Sequence, residues 1–187
     1  TPIIIAGAAI EPDWQYTIEG TSALSLFKVI DANNDNFTWW SNGVTGYGAM
    51  SNQARVKAAS DDWLLTPPIH ISGDRVYTIT FKVRNIMDAY RNTLEVKWGN
   101  GDTPAHMTNT LLNTFTPEYS ETNGQWQVCT VDLIPTASGN VYIGFHDNTP
   151  AGEKFQIAID KLTIKKTAYT ASPDSVKSLT VTPAQRG

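Results

Sequence analysis

The 187-residue chain has one cysteine, few charged residues and no long apolar run. Cys129 alone can form neither an intrachain disulfide nor a thiolate metal site. Charged residues make up 17% of the chain, against about 25% in an average domain. No apolar run approaches the length of a bilayer span, so we expect no direct membrane insertion. The chain is long enough to bury a core of its own without a disulfide or a structural metal.

Charge and catalytic motifs are also sparse. The formal net charge is −4, from 14 basic and 18 acidic residues. The one basic cluster is Lys161, Lys165 and Lys166, so we do not expect nucleic acid as the main partner. The three histidines lack zinc-protease spacing and no serine lies in a nucleophile elbow. The sequence therefore predicts a protein that is not an enzyme.

Period-two hydrophobic alternation is the dominant pattern. It runs through Val76–Asn85, Thr93–Trp98, Gln127–Leu133 and Asn140–His146, with turn residues between them. The pattern changes phase within Phe155–Ile164, which predicts a β-bulge near Asp160 or Lys161. Many short strands and abundant threonine predict an all-β fold, an antiparallel β-sandwich of jelly-roll type.

One segment has a helical pattern. Thr103 is a candidate cap, Pro104 suits a first helical position, and Met107, Leu111 and Phe115 recur every four residues. These features predict one short helix.

The composition changes near the end of the chain. We expect a domain over residues 1–167, then a linker at Ala168–Pro173 and a strand at Val176–Thr182. The strand either opens a following, truncated module over 168–187 or pairs with the main sheet. Because the chain starts at Thr1, we expect it to be a piece of a longer precursor.

The acidic segment Asp31–Asn36 is a candidate calcium loop. Asp31, Asn33 and Asp35 present oxygen ligands at alternate positions, although the segment is not an EF-hand. The alternative is an Asx-rich turn whose side chains bond their own backbone. Asp160, within an apolar strand, needs a partner, which is either this metal or a cluster of backbone amides.

Aromatic residues next to turns are candidate sugar contacts. Adjacent Trp39 and Trp40 must point to opposite faces of a strand, so both cannot enter one core. Exposed aromatic rings stack on sugars by the same apolar contact that operates at interfaces. The candidates for ligand binding are Trp40, Tyr47, Trp63 and Tyr90. The alternative for each is ordinary burial.

Two further pairs of polar residues each have two interpretations. His146 and Asp147 end a strand and enter a loop, where they are candidate contacts for a polar ligand or simply solvated loop residues. Asp61 and Asp62 are either paired acids or a turn that caps backbone amides.

Several segments together resemble the bacterial choice-of-anchor J group, which is related to the cleaved adhesin domains of gingipain-type haemagglutinins and, more distantly, to MAM domains. The matching segments are Phe27–Trp40, Asp61–Ile69, Val76–Phe81, Leu94–Gly99, Val141–His146 and Ile157–Ile164. The tail from Pro173 onward resembles the first strand of a fibronectin type III-like module.

The resemblance implies a galactose-binding-like jelly roll in a secreted or cell-surface bacterial protein. It also implies structural calcium, with the ligand role carried onto Asp31, Asn33, Asp35 and Asp160. Relatives often have glycine in this loop and a second aspartate after the Asp160 position; here those places hold Asn34, Asn36 and Lys161.

Three functions compete. The first is a non-catalytic, monomeric adhesion module that binds a glycan or a host surface protein. The second is a structural spacer, favoured if Trp39, Trp40, Tyr47 and Trp63 are all buried. The third is a jelly-roll polysaccharide hydrolase, which needs two carboxylates about 5–10 Å apart in a cleft.

Overall fold

A computed structural model describes residues 8–19, 24–41, 48–51, 58–120, 125–152 and 154–167. These residues form twelve strands and one short 3-10 helix, Pro104–His106. The strands are β1 Trp14–Tyr16, β2 Lys28–Asp31, β3 Trp39–Trp40, β4 Ala49–Ser51, β5 Asp62–Leu65, β6 Ile69–Ile71, β7 Val76–Asn85, β8 Leu94–Gly99, β9 Asn109–Phe115, β10 Gln127–Leu133, β11 Gly139–Asp147 and β12 Ile157–Thr167.

The strands form two antiparallel sheets of six strands each. The first has the order β10-β7-β12-β4-β3, with β1 paired to β12. The second has the order β2-β5-β11-β8-β9, with β6 paired to β11. The architecture is the predicted all-β sandwich, with the jelly-roll type of fold.

The core lies between the sheets. From the first sheet, alternate residues of β7 point inward, including Ile79, Phe81 and Val83, all fully buried. From the second sheet, Ile143 and Phe145 of β11 meet them, and the Phe81 and Phe145 rings contact edge-on at 5.1 Å. Strand alternation places one set of side chains in this core and leaves the opposite set on the outer faces.

Trp63, Leu65 and Met107 form a second, smaller apolar cluster. Trp63 and Leu65 have the opposite parity to Leu64 of the main core, so this cluster lies on the outer face of the second sheet. Tyr142 and Ile30 pack against it.

The strands predicted within the described residues are confirmed, and Val76–Asn85 and Gln127–Leu133 have the predicted bounds. The predicted bulge is also confirmed, because the β12–β7 register shifts between Asp160 and Thr163, and Lys161 has φ +50°. The bulge returns Leu162 and Ile164 to the core beside Ile159.

The predicted helix at 103–115 is wrong. Only the single 3-10 turn Pro104–His106 forms, and Asn109–Phe115 is a strand paired with β8. Threonine and asparagine lower the helix propensity of this segment, and pairing with β8 satisfies its backbone instead.

Two further predictions lie outside the described residues. Tyr47 and the segment 168–187, with its linker and fibronectin-like strand, are not among the described ranges. Among the residues that the structure does describe, no helix has the length and hydropathy needed to cross a bilayer.

Candidate functional site

Three aspartates form a row across the second sheet at one end of the sandwich. In the antiparallel register, Asp62 pairs with Asp31 of β2 on one side and with Asp147 of β11 on the other. The three residues share the inward parity of Leu64, and Asp62 and Asp147 are fully buried. Like charges directly opposite one another destabilise a sheet, so this row needs compensation.

The pKa of Asp62 is strongly affected by this arrangement. Burial, followed by the nearby charges of Asp147, Asp35 and Asp31, raises its pKa from 3.8 to about 8. Its carboxyl group therefore holds a proton near neutral pH when no metal ion is bound beside it.

Asp147 is compensated by hydrogen bonds. Its Oδ2 accepts from Ser51 Oγ at 2.6 Å and from Asn92 Nδ2 at 2.8 Å, and its Oδ1 accepts from Thr149 Oγ1 at 2.6 Å. Ser51 belongs to the first sheet, so the carboxylate links the two sheets. The structure thus places this candidate ligand contact inside the sandwich rather than in an open loop.

The acidic segment forms the Asx-rich turn that was the alternative to a metal loop. The Asp31 carboxylate accepts from the backbone N–H groups of Asp35 at 3.2 Å and Asn36 at 2.8 Å. Asp35 Oδ1 accepts from the Phe37 N–H at 2.9 Å. Asn33 Nδ2 donates to Ala59 O at 2.8 Å, which ties the turn to the segment before β5.

The same turn forms a group with metal-ligand geometry. Carboxylate oxygens of Asp31, Asp35 and Asp62 lie within 4.8 Å of one another. Asp62 was not among the residues predicted to bind metal, because only strand register brings it beside the turn.

Asp160 does not belong to this group, and its proposed role there needs correction. It lies in the first sheet, where its Oδ1 accepts from the backbone N–H groups of Ile18 at 2.9 Å and Lys161 at 2.7 Å. Backbone amides, the alternative to a metal, are therefore its partners.

Lys154 is a buried cation at the same end of the sandwich. Its Nζ donates to Ala58 O, and it is fully buried. Burial lowers its pKa, while attraction to Asp147, Asp35 and Asp62 opposes that shift. Lys154 is 96 residues from Ala58 in the sequence, so no local motif indicates this role.

His146 lies on the outer face of the second sheet between two carboxylates. Its Nδ1 is 2.7 Å from Glu95 Oε1 and its Nε2 is 2.9 Å from Asp61 Oδ1. The ring stacks on Trp63 at a centroid distance of 3.9 Å, and Trp63 Nε1 also donates to Asp61 Oδ1. Asp61 therefore binds His146 and an indole, and it is not paired with the inward-facing Asp62.

The remaining aromatic candidates are separate from this group. Trp39 is buried and Trp40 is 36% exposed, which confirms that they point to opposite faces. Trp40 lies on β3, at an edge of the first sheet, while Tyr90 is half-buried in the loop after β7. Trp63 is itself buried. Of the candidate ligand contacts, the structure brings together Trp63 and His146.

An open cavity of about 360 Å³ lies at the other end of the sandwich. It surrounds the start of β11, whereas the aspartate row lies at the end of that strand. None of the residues that line the cavity is ionisable. The lining residues are Ile71, Trp98, Asn100, Thr108, Asn109, Thr136, Ala137, Ser138, Gly139, Asn140 and Val141. Sequence reasoning missed this site because its residues come from separate turns with no shared motif.

Known structures with the same fold include adhesin and carbohydrate-binding domains. The K1 cleaved adhesin domain of Lys-gingipain from Porphyromonas gingivalis W83 has a TM-score of 0.60 and 22% identity, over 81% of this chain and 96% of that domain. The K3 domain of the same protein has a TM-score of 0.57 and 21% identity, over 79% and 91% of the two chains. A CBM4 structure has a TM-score of 0.55 and 20% identity, over 81% and 94%.

At these identities the likeness establishes the fold. No protein-family model and no curated protein matches the sequence.

Proposed function

We propose that this domain is a non-catalytic binding module of a secreted or cell-surface protein, and that its ligand is carbohydrate. The observation that carries the proposal is the open cavity at the start of β11, which offers polar and aromatic side chains but no acid or base. Such a site can hold a ligand, whereas acid–base catalysis needs a titratable group within reach of the reacting atoms. The adhesin and carbohydrate-binding domains with this fold support the same function.

The arrangement of the acids favours binding over hydrolysis. Asp61 and Glu95 lie on the outer face of the second sheet, but the His146 ring lies between them and is within hydrogen-bond distance of both. A glycosidic bond would have to occupy that space to be flanked by two acids. Asp62 and Asp147 are buried within the sandwich, where a polysaccharide has no access.

A pure spacer is the less favoured function. The sequence favours it if Trp39, Trp40, Tyr47 and Trp63 are all buried, but Trp40 is 36% exposed. The open cavity also has no evident purpose in a spacer.

We further propose that Asp31, Asp35 and Asp62 hold a structural calcium ion. Their oxygens are hard ligands of the kind that calcium prefers, and they lie close enough to share one ion. The raised pKa of Asp62 fits this role, because a cation would offset the repulsion that burial and neighbouring acids create. Asn33 Oδ1, in the same turn, remains a predicted uncharged ligand of this ion.

A glycan array and isothermal titration calorimetry with the 187-residue chain test the main proposal. We expect dissociation constants in the micromolar to millimolar range for some oligosaccharides, with no change in the glycan recovered after incubation. Release of shorter sugars from any bound polysaccharide would contradict a non-catalytic role. Absence of glycan binding by the folded chain, with capture of a surface protein instead, would contradict carbohydrate as the ligand.

A further inference from the structure

We infer that the cavity at the start of β11 is the glycan-binding site, and that it selects neutral sugars by means of Asn100 and Asn109 beside Trp98. The inference rests on the proposed function and adds to it a location and a ligand class. None of these residues was a candidate from sequence.

The two asparagines come from different elements of the cavity lining. Asn100 follows β8, and Asn109 opens β9. Each amide offers both a donor and an acceptor, which matches a sugar hydroxyl that does the same. Two such groups at one cavity can bind more than one hydroxyl of a ring.

Asn140 also lines the cavity, but its Oδ1 is 3.2 Å from His70 Nδ1 across the β6–β11 pairing, so its amide lies with His70 on the outer face of the sheet. The amides of Asn100 and Asn109 are more available. Asn109 Nδ2 makes only long contacts, at 3.4 Å, with Trp98 O and Thr108 Oγ1. Within the described ranges, the side chains of Asn100 and Thr136 form no hydrogen bond. A ligand can therefore bind these groups without breaking strong internal bonds.

Trp98 supplies the apolar wall. It packs partly against the main core, so the ring is anchored while another part lines the cavity. The C–H faces of a pyranose can bury apolar area against such a ring.

The missing charges determine the ligand class. A uronate or sialate carboxylate would lose water on entering and would meet no lysine, arginine or histidine among the lining residues. A neutral sugar carries no such penalty. The volume, about 360 Å³, is at the small end of ligand pockets and suits roughly one or two sugar rings.

The test compares matched asparagine variants of the 187-residue chain by calorimetry. The ligands are neutral cello-, xylo- and galacto-oligosaccharides, with oligogalacturonate and sialyllactose as acidic comparisons. The double variant Asn100→Ala, Asn109→Ala should bind neutral sugar at least tenfold more weakly, because two amide contacts are lost. Asn113→Ala, which removes an exposed asparagine of β9 outside the cavity, should bind as the wild type does.

Thermal melting confirms that each variant is folded, and Thr136→Trp gives an independent test by filling the cavity. If the wild type binds neutral sugar and both cavity variants retain its affinity, the inference is overturned while the proposed function stands. Loss of binding in Trp40→Ala alone would move the site to the edge of the first sheet. Tighter binding of the acidic sugars would also overturn the inference. If the wild type binds no sugar of either class, it is the proposed function that fails.

Discussion

Asp62 lies directly opposite Asp147 across the β5–β11 ladder, with both side chains fully buried between the sheets. Two carboxylates so placed cannot both be charged without compensation. Asp147 obtains it from Ser51, Asn92 and Thr149. Asp62 carries the remaining cost, which a proton, Lys154 or a bound cation can offset. This end of the sandwich should therefore respond to pH and to cations more than any other part of the described chain.

The first prediction concerns pH. Asp62 has a folded-state pKa of about 8, against 3.8 for an unperturbed carboxyl. Between about pH 4 and pH 8 the folded state keeps a proton that the unfolded chain has released, so stability falls as pH rises through this window. In EDTA, Asp62→Asn should remove most of this slope and stabilise the domain at pH 7 by about 1–3 kcal/mol. Urea unfolding at several pH values measures both effects.

The matched control is Asp74→Asn, which changes an exposed aspartate beside Arg75. It should leave the pH profile of the wild type intact. A profile for Asp62→Asn that is as steep as that of the wild type would show that another group titrates.

The second prediction concerns Lys154. Its ammonium group is buried and attracted to Asp147, Asp35 and Asp62. Lys154→Met would keep the volume but leave the acids without this cation, and removal of one partner from a buried charge cluster costs about 3–5 kcal/mol. The urea midpoint should fall accordingly. Lys166→Met, at an exposed position of β12, should change stability by less than about 0.5 kcal/mol. Equal midpoints for the two variants would contradict a role for Lys154 as counter-ion.

The third prediction concerns calcium. Starting from metal-free protein, added calcium should raise the melting temperature, with a gain of about 2.7 kcal/mol at a hundred times the dissociation constant. Asp35→Asn should weaken this response, because it removes one of the three clustered carboxylates. Asp132→Asn, on the outer face of β10, should respond as the wild type does. A melting temperature that is the same in calcium and in EDTA would remove the ion from this site.

Strand positions could be predicted where one face of a strand is buried. Val76–Asn85 alternates because every second side chain enters the core, and its bounds match the prediction. The phase change in β12 was equally clear, because a bulge must restore Leu162 and Ile164 to the core. The helix predicted here was wrong because Met107, Leu111 and Phe115 fit a helical period, whereas pairing with β8 makes residues 109–115 a strand.

The site residues were harder to predict because they depend on register between distant strands. The acidic turn was visible as a local motif, but Asp62 joins it only through pairing of β5 with β2. Lys154 and Ala58 meet across 96 residues of sequence. The cavity likewise combines turns after β8 and before β11, and each turn alone resembles an ordinary surface loop.

The last prediction tests the packing of the outer face of the second sheet. A methyl group added at Gly144 would lie 2.9 Å from Leu65 Cδ2 and 3.0 Å from Trp63 Cε3, so these buried side chains would have to shift to admit it. Gly144→Ala should therefore destabilise the domain by about 1–3 kcal/mol. In a Trp63→Phe background the smaller ring leaves room, so the same change should cost less, and the two effects should be non-additive by at least 0.5 kcal/mol. Urea unfolding of the four proteins in this cycle measures the coupling. Additive effects would mean that Trp63 does not lie over Gly144.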